Sequence, residues 1–262
     1  MKKKFKTIFK RNGALDVDEM IHKKTILSFL FFFVLLATGI FLWIWLIHQP
    51  LDGGIRGGIP QPLRVGLNAN EKIFDKAYSP GNLVKTYPVS SASKKVRVNG
   101  DIGMGNEFDP SHWKLLVVKN NGDSISFSLD DIRRLPRTEI IYNFKCIEGW
   151  SQITWWGGVK FSDFINYYHL NDESSMKYVG MSTPDGEYYV GIDMQSALQR
   201  QTLLAYEMNR QPLPLNQGFP LRLIIPVKYG IKSIKRIGTI YFSNERPPDY
   251  WAERGYDYYS GL

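Results

Sequence analysis

The sequence predicts an α+β domain of mixed sheets and short helices, preceded by one transmembrane helix. Three observations carry that expectation. Residues 25–47 form an apolar run without a charge, residues 50–62 are rich in glycine and proline, and from residue 96 onward short β-patterned runs alternate irregularly with short helical ones. Such mixed order favours α+β over a doubly wound parallel sheet. The 262 residues suffice for one ordinary domain and an appendage, with no internal repeat and no low-complexity tract.

The first 24 residues form a basic tail, with eight lysines and arginines against three acids. The apolar run that follows can cross a hydrocarbon layer of ~30 Å at about 1.5 Å rise per residue. Trp43, Trp45 and His48 lie at its far end, where amphipathic rings favour the interface. A cleaved signal peptide would have a shorter apolar core and a small-residue cleavage site, and none follows. The positive-inside rule puts residues 1–24 in the cytoplasm and the remainder outside. Without the tail the chain holds 25 basic and 22 acidic residues, so the formal charge of +8 is mostly an orientation signal. Nothing in the remainder argues for nucleic-acid binding, which would need a concentrated basic face.

Residues 48–95 read as a linker and juxtamembrane segment. The Gly/Pro part cannot hold a regular helix, residues 63–74 suit a short amphipathic helix near the membrane, and the stretch to 95 has no firm pattern. In the domain at 96–262, residues 113–118 and 124–129 read as strands joined at Asn120-Asn121-Gly122. A short helix with Leu129, Ile132 and Leu135 follows, capped by Ser128 and stopped by Pro136. Residues 139–144 form the next strand. It leads into a loop marked by Gly149, Gly157 and Gly158, then a helix from Asp163 capped by Ser162, with Phe161, Phe164, Ile165 and Tyr168 on one face. Further strands are expected at 177–183, 188–192, 203–208, 221–225 and 236–242, with a helix at 194–198 capped by Asp193.

Cys146, the sole cysteine, ends the 139–144 strand. It is either a small buried hydrophobe, as free cysteines usually are, or a ligand or nucleophile at the mouth of a loop. Arg222 opens an apolar strand, where a guanidinium is costly unless paired. Lys228, Lys232 and Lys235 follow it. A phosphorylated ligand would supply a partner, and so would an internal salt bridge. His22, His48, His112 and His169 lack ligand spacing, and one cysteine cannot build a zinc or iron–sulfur site. Nor is there a dinucleotide or Walker motif, or a c-type haem motif.

The order Cys146-Ile147-Glu148-Gly149-Trp150-Ser151, then Trp156-Gly157-Gly158 and Phe161-Ser162-Asp163-Phe164, closely resembles the cysteine loop of sulfite oxidase-fold molybdopterin oxidoreductases. It is nearest to the membrane-associated branch containing the protein-methionine-sulfoxide reductase catalytic subunit. A second match is Gly218-Phe219-Pro220-Leu221-Arg222, Pro226 and Lys228-Tyr229-Gly230 through Lys235. The resemblance covers residues 96–262 and implies a molybdenum-molybdopterin cofactor. Cys146 is then the metal ligand and catalytic residue, and Arg222, Ser233, Ile234 and Lys235 bind the pterin and its phosphate. Gln217 stands where the family has Asn or His. Thr183 is nominated by the strand beginning Tyr178-Val179-Gly180, Arg97 and Asn99 by a looser upstream match, and Trp150 and Trp156 as pocket walls.

The resemblance implies two-electron oxygen-atom transfer. Typical sulfite oxidases follow the cysteine with a basic segment; Glu148-Gly149-Trp150-Ser151 replaces it here and favours reduction of a small-molecule or protein-bound S-oxide or N-oxide. A sulfite-oxidising enzyme and a cofactor-free membrane-anchored binding module are the alternatives. The match stops short of a dimerisation domain, so a monomer is expected. With no relay of its own, the chain is expected to exchange electrons with a membrane redox partner, a b-type cytochrome, from a single-pass position in the bacterial inner membrane with the domain outside.

Overall fold

The computed structural model describes residues 16–53, 58–77, 81, 83–105 and 107–261. Its contacts divide the chain into two units, Met1–Asp52 with Pro60–Leu63 and Gly53–Ile59 with Arg64–Leu262. Residues 1–15 of the basic tail and 54–57 of the linker lie outside the described residues.

The first unit is dominated by helix α1 (Val17–Ile47), none of whose residues is buried. It begins eight residues before the apolar run because Asp16 caps it, accepting from the Glu19 backbone N–H at 2.7 Å. Asp18 and Glu19 in the first turn complement the helix dipole. By length and composition α1 can cross a membrane. After it the linker folds back on itself: Leu51 bridges Pro60, and the Gln61 N–H donates to the Pro50 carbonyl at 2.9 Å.

Helix α2 (Gln61–Ala77) follows. The Gly/Pro pattern misleads at its start, since Pro62 occupies the first turn, where its missing N–H would be unpaired anyway. From Arg64 onward the helix belongs to the second unit.

The remaining elements are β1 (Leu115–Val118), β2 (Ser124–Phe127), α3 (Leu129–Arg133), β3 (Arg137–Lys145), β4 (Ser151–Lys160), α4 (Phe161–Tyr167), α5 (Asn171–Ser174), β5 (Tyr178–Ser182), β6 (Tyr189–Asp193), α6 (Met194–Ala197), β7 (Leu203–Met208), β8 (Gln211–Pro212), β9 (Arg222–Ile224) and β10 (Thr239–Ser243). The first sheet has the order β2-β1-β10-β5-β6, antiparallel except for β1 beside β10. The second runs β3-β4-β7-β8, with β9 also paired to β7. Alternation along β7 sends Leu204 and Tyr206 into a core shared with the first sheet, and Leu203 and Ala205 into a smaller cluster with Tyr142, Phe144 and Trp156. Strand β7 is thus buried on both faces, while β8 at the edge of the sheet is exposed.

Two expectations are corrected here. The Gly/Trp-rich stretch after Cys146 is mostly strand, not loop, and pairs with β3 from Lys145–Ser151 to Arg137–Val159. Its glycines serve packing: a Cβ on Gly158 would stand 2.1 Å from the Leu204 carbonyl oxygen, and one on Gly157 2.8 Å from the Glu207 carboxylate. The register shifts between these two residues where β4 meets β7. The following helix starts at Phe161, with Lys160 at its cap and no side-chain bond from Ser162. Its first N–H donates instead to the Thr202 carbonyl at 3.0 Å, so tertiary contact replaces local capping. Where local chemistry suffices the reading holds: Ser128 and Asp131 form a capping box on α3, and Asp193 caps α6.

Gly158→Ala should therefore cost about 1–3 kcal/mol by overpacking against β7. Gly105→Ala should be nearly neutral, because its nearest neighbour would be Asp185 Oδ2 at 4.0 Å. Chemical denaturation of the two variants checks this.

Candidate active site

Three stretches of chain and three aromatic residues from elsewhere in the fold surround a cavity. The first is the β3–β4 turn. Strand alternation puts Tyr142, Phe144 and Cys146 on one face of β3 and its continuation. The Cys146 N–H donates to the Trp150 carbonyl at 2.9 Å, the Gly149 N–H donates to the Cys146 carbonyl at 3.1 Å, and Gly149 takes a φ of 90°. That left-handed turn is why a glycine interrupts the motif. Cys146 is buried, Trp150 stacks on Phe144, and Asn99 Nδ2 donates to Cys146 Sγ at 3.4 Å.

The second wall begins at Arg222, the first residue of β9, and continues through Gly230, Ile231, Ser233 and Lys235. A Cβ at Gly230 would fall 2.5 Å from the Phe144 ring, so only glycine lets this loop close on the cysteine turn. The third wall is Arg97 to Ile102. Gln152 Oε1 accepts from the Arg97 N–H at 2.9 Å, Gln217 Nε2 donates to the Val96 and Arg97 carbonyls, and Lys235 Nζ donates to the Asn99 and Gly100 carbonyls at 2.6 and 2.8 Å. Tyr188, Trp251 and Tyr256 complete the enclosure.

Charge in this cavity is unbalanced. Arg222 is buried, its Nη1 donates to Gln217 Oε1 at 2.8 Å and weakly to the Gln217 carbonyl, and its Nε has no hydrogen-bond partner among the described residues. Its guanidinium packs against the Trp156 and Phe144 rings. Burial pulls its pKa down to about 10. Burial, reinforced by Arg222, takes Lys235 down to about 7. Neither pairs with a carboxylate among the described residues. Lys228 and Lys232 differ: they form buried pairs with Asp193 at 2.6 Å and Asp249 at 2.5 Å, and so pin the loop.

The structure brings Cys146, Arg97, Asn99, Trp150, Gln217, Arg222, Ser233 and Lys235 to one cavity. Three expected residues do not line it. Trp156 is turned beneath Arg222, with its Nε1 donating to Thr154 Oγ1, because it lies on the buried face of β4. Thr183 donates to Asp185 Oδ1 in the β5–β6 turn. The Ile234 side chain packs in the main core while its backbone pairs with Leu223. Phe144, Tyr188, Trp251 and Tyr256 were missed. Only the strand period from Cys146 could have found Phe144; the others arrive through tertiary contact.

Residues 102–251 match the oxidoreductase molybdopterin binding domain, and the chain belongs to this family. It is a molybdopterin-dependent oxidoreductase with the family's α+β fold. The candidate protein-methionine-sulfoxide reductase subunit YedZ1 of Azospira oryzae is 33% identical over 186 residues, covering 70% of each chain. The protein-methionine-sulfoxide reductase catalytic subunit MsrP of Campylobacter jejuni is 29% identical over 202 residues, 69% of this chain and 65% of that protein. The MsrP of Ralstonia nicotianae is 31% identical over 58% of this chain, which spans about half, 51%, of that relative. Among solved structures, the sulfane dehydrogenase SoxCD of Paracoccus pantotrophus aligns at a TM-score of 0.46 and 17% identity, covering 53% of this chain and 40% of that one.

The cavity fits a phosphorylated pterin. An orphaned Arg222 Nε and a lysine held only by carbonyls await an anion, and a thiol stands on the same surface. The two lowered cations also set a pH dependence. Between about pH 7 and 10.5 the unfolded chain holds a proton on Lys235 that the folded chain lacks, so the stability of cofactor-free protein rises with pH across this window. Replacing Lys235 with Met should flatten that rise, as denaturation midpoints at pH 7 and pH 9.5 would reveal.

Proposed function

We propose that this chain carries molybdenum on its pterin and reduces an S-oxide in a two-electron reaction. The observation that supports it most is the pairing, on one cavity, of an unneutralised Arg222 and Lys235 with the Cys146 thiol. Cys146 would ligate the metal as a thiolate, a soft donor suited to it. Asn99, donating to that sulfur, would hold its lone pairs in place. Arg222 and Lys235 would clamp the phosphate, and Gln217 orients Arg222 through its Oε1. Trp150, Trp251 and Tyr256 would exclude water from the reacting end. When bound, the group supplies oxygen-atom transfer: the S–O bond breaks, two electrons and two protons enter, and thioether and water leave. The names of the relatives support methionine sulfoxide within proteins as the S-oxide.

In this reading α1 crosses the inner membrane of a bacterium, the basic tail stays in the cytoplasm, and the domain lies outside. The electrons come from a membrane redox partner, a b-type cytochrome. The phrase "catalytic subunit" in the relatives' names supports a partner of some kind.

Purified chain should contain molybdenum and pterin, and should reduce methionine sulfoxide with a dye donor but not with quinol alone. Cys146→Ser should keep the fold and lose turnover, because an alcohol is a poor soft-metal ligand. Full activity in that variant, or quinol-driven turnover by the chain alone, would refute the corresponding assignment.

Arg222→Ala should lower pterin content. Loss of charge-assisted phosphate contacts, each about 1.5–3 kcal/mol, amounts to roughly ten- to hundredfold weaker retention. Wild-type pterin content would make Arg222 a structural residue.

A further inference from the structure

We propose that the outer face of α2 rests on the surface of the bilayer, with Val65 and Ile73 among the lipid headgroups and Lys72 and Lys76 on anionic lipid phosphates. The inference depends on the reading that α1 spans that bilayer, and extends it to a second contact.

Helix α2 has one committed face. Arg64 donates to the Tyr256 and Ala252 carbonyls at 3.0 and 2.8 Å, the buried Glu71 pairs with Arg246, and Phe74 stacks on Tyr259 with centroids 5.5 Å apart. These positions recur at helical spacing, and the contacts fix the helix in rotation. The opposite stripe is Val65, Ala69, Lys72, Ile73 and Lys76, all exposed, with Val65 and Ile73 each 62% accessible. It combines branched apolar side chains with two lysines and holds no acid. On a helix that composition suits an anionic membrane surface, where apolar groups enter the headgroup layer and each lysine near it gains about 1 kcal/mol.

The start of α2 is also tied to the end of α1. Pro50, whose carbonyl accepts from Gln61, is three residues beyond Ile47. Extended backbone of that length spans at most about 11 Å. The Leu51–Pro60 bridge closes the linker at the same place.

The test uses the full chain in nanodiscs of phosphatidylcholine, with or without phosphatidylglycerol, containing lipids brominated near the headgroup or deep in the acyl chains. In a Cys146→Ser background a single fluorescent label is placed at Ile73→Cys, at Leu35→Cys in α1, or at Asn121→Cys in the β1–β2 turn. Deep bromines should quench the Leu35 label. Shallow bromines should quench the Ile73 label roughly twofold more than the Asn121 label, more so with phosphatidylglycerol and less when Lys72 and Lys76 are changed to Glu. Quenching at Leu35 without quenching at Ile73 would overturn the proposal and leave the span standing. No quenching at Leu35 would remove the span and the proposal together. An Ile73 label shielded from both bromines and aqueous iodide would mean that a protein covers this face, which also overturns it.

Discussion

A buried guanidinium without a carboxylate is the constraint on which the rest of this domain turns. Taking a charge from water costs several kcal/mol even after relaxation, and a nearby counter-charge normally offsets it. Arg222 has instead the Gln217 amide and main-chain oxygens and two aromatic faces. Those contacts order its side chain but leave the positive potential open to the cavity, where Lys235, held by the Asn99 and Gly100 carbonyls, stands on the same wall. The protein tolerates this because the surrounding strands are strongly apolar, with Leu221, Leu223, Ile224 and Ile225 inaccessible. Their burial supplies stability that the charge consumes, and an anionic ligand would recover part of the cost.

The sheet order explains why this charge faces a thiol. Strand β7 pairs with β4 and with β9, and β4 in turn pairs with β3. Cys146, just past the end of β3, and Arg222, the first residue of β9, are therefore brought together by one sheet although they are 76 positions apart. Gly157 and Gly158 allow β4 to press on β7, and Gly230 allows the following loop to press on Phe144. Of these three, Gly230 lines the cavity itself, while Gly157 and Gly158 serve the packing of the sheet behind it.

The lysines of that loop divide by their surroundings. Lys228 and Lys232 find Asp193 and Asp249 inside the domain, and Lys232 also donates to the Gly191 carbonyl at 2.9 Å. Breaking a buried pair leaves a lone charge, so these lysines hold the loop in place. Lys235 meets only carbonyls and stays available at the cavity. Similar spacing in the chain gives opposite roles, because partners across the fold decide which charge is spent internally.

What the sequence determined alone was whatever depends on neighbours in the chain. The apolar helix, the capping box at Ser128, the Asp193 cap and the alternating strands follow from local chemistry and periodicity. The order of motifs around Cys146 and Arg222 also named the family, and six of the residues nominated on them line the cavity. The tertiary structure decided the rest. Glycines that look like loop formers became strand residues because another strand approaches them. Trp156 left the pocket for the underside of Arg222 because the pleat turned it inward, while Tyr188, Trp251 and Tyr256 joined from distant segments. Periodicity gives the face on which a side chain lies; only the packed strands determine what that face meets.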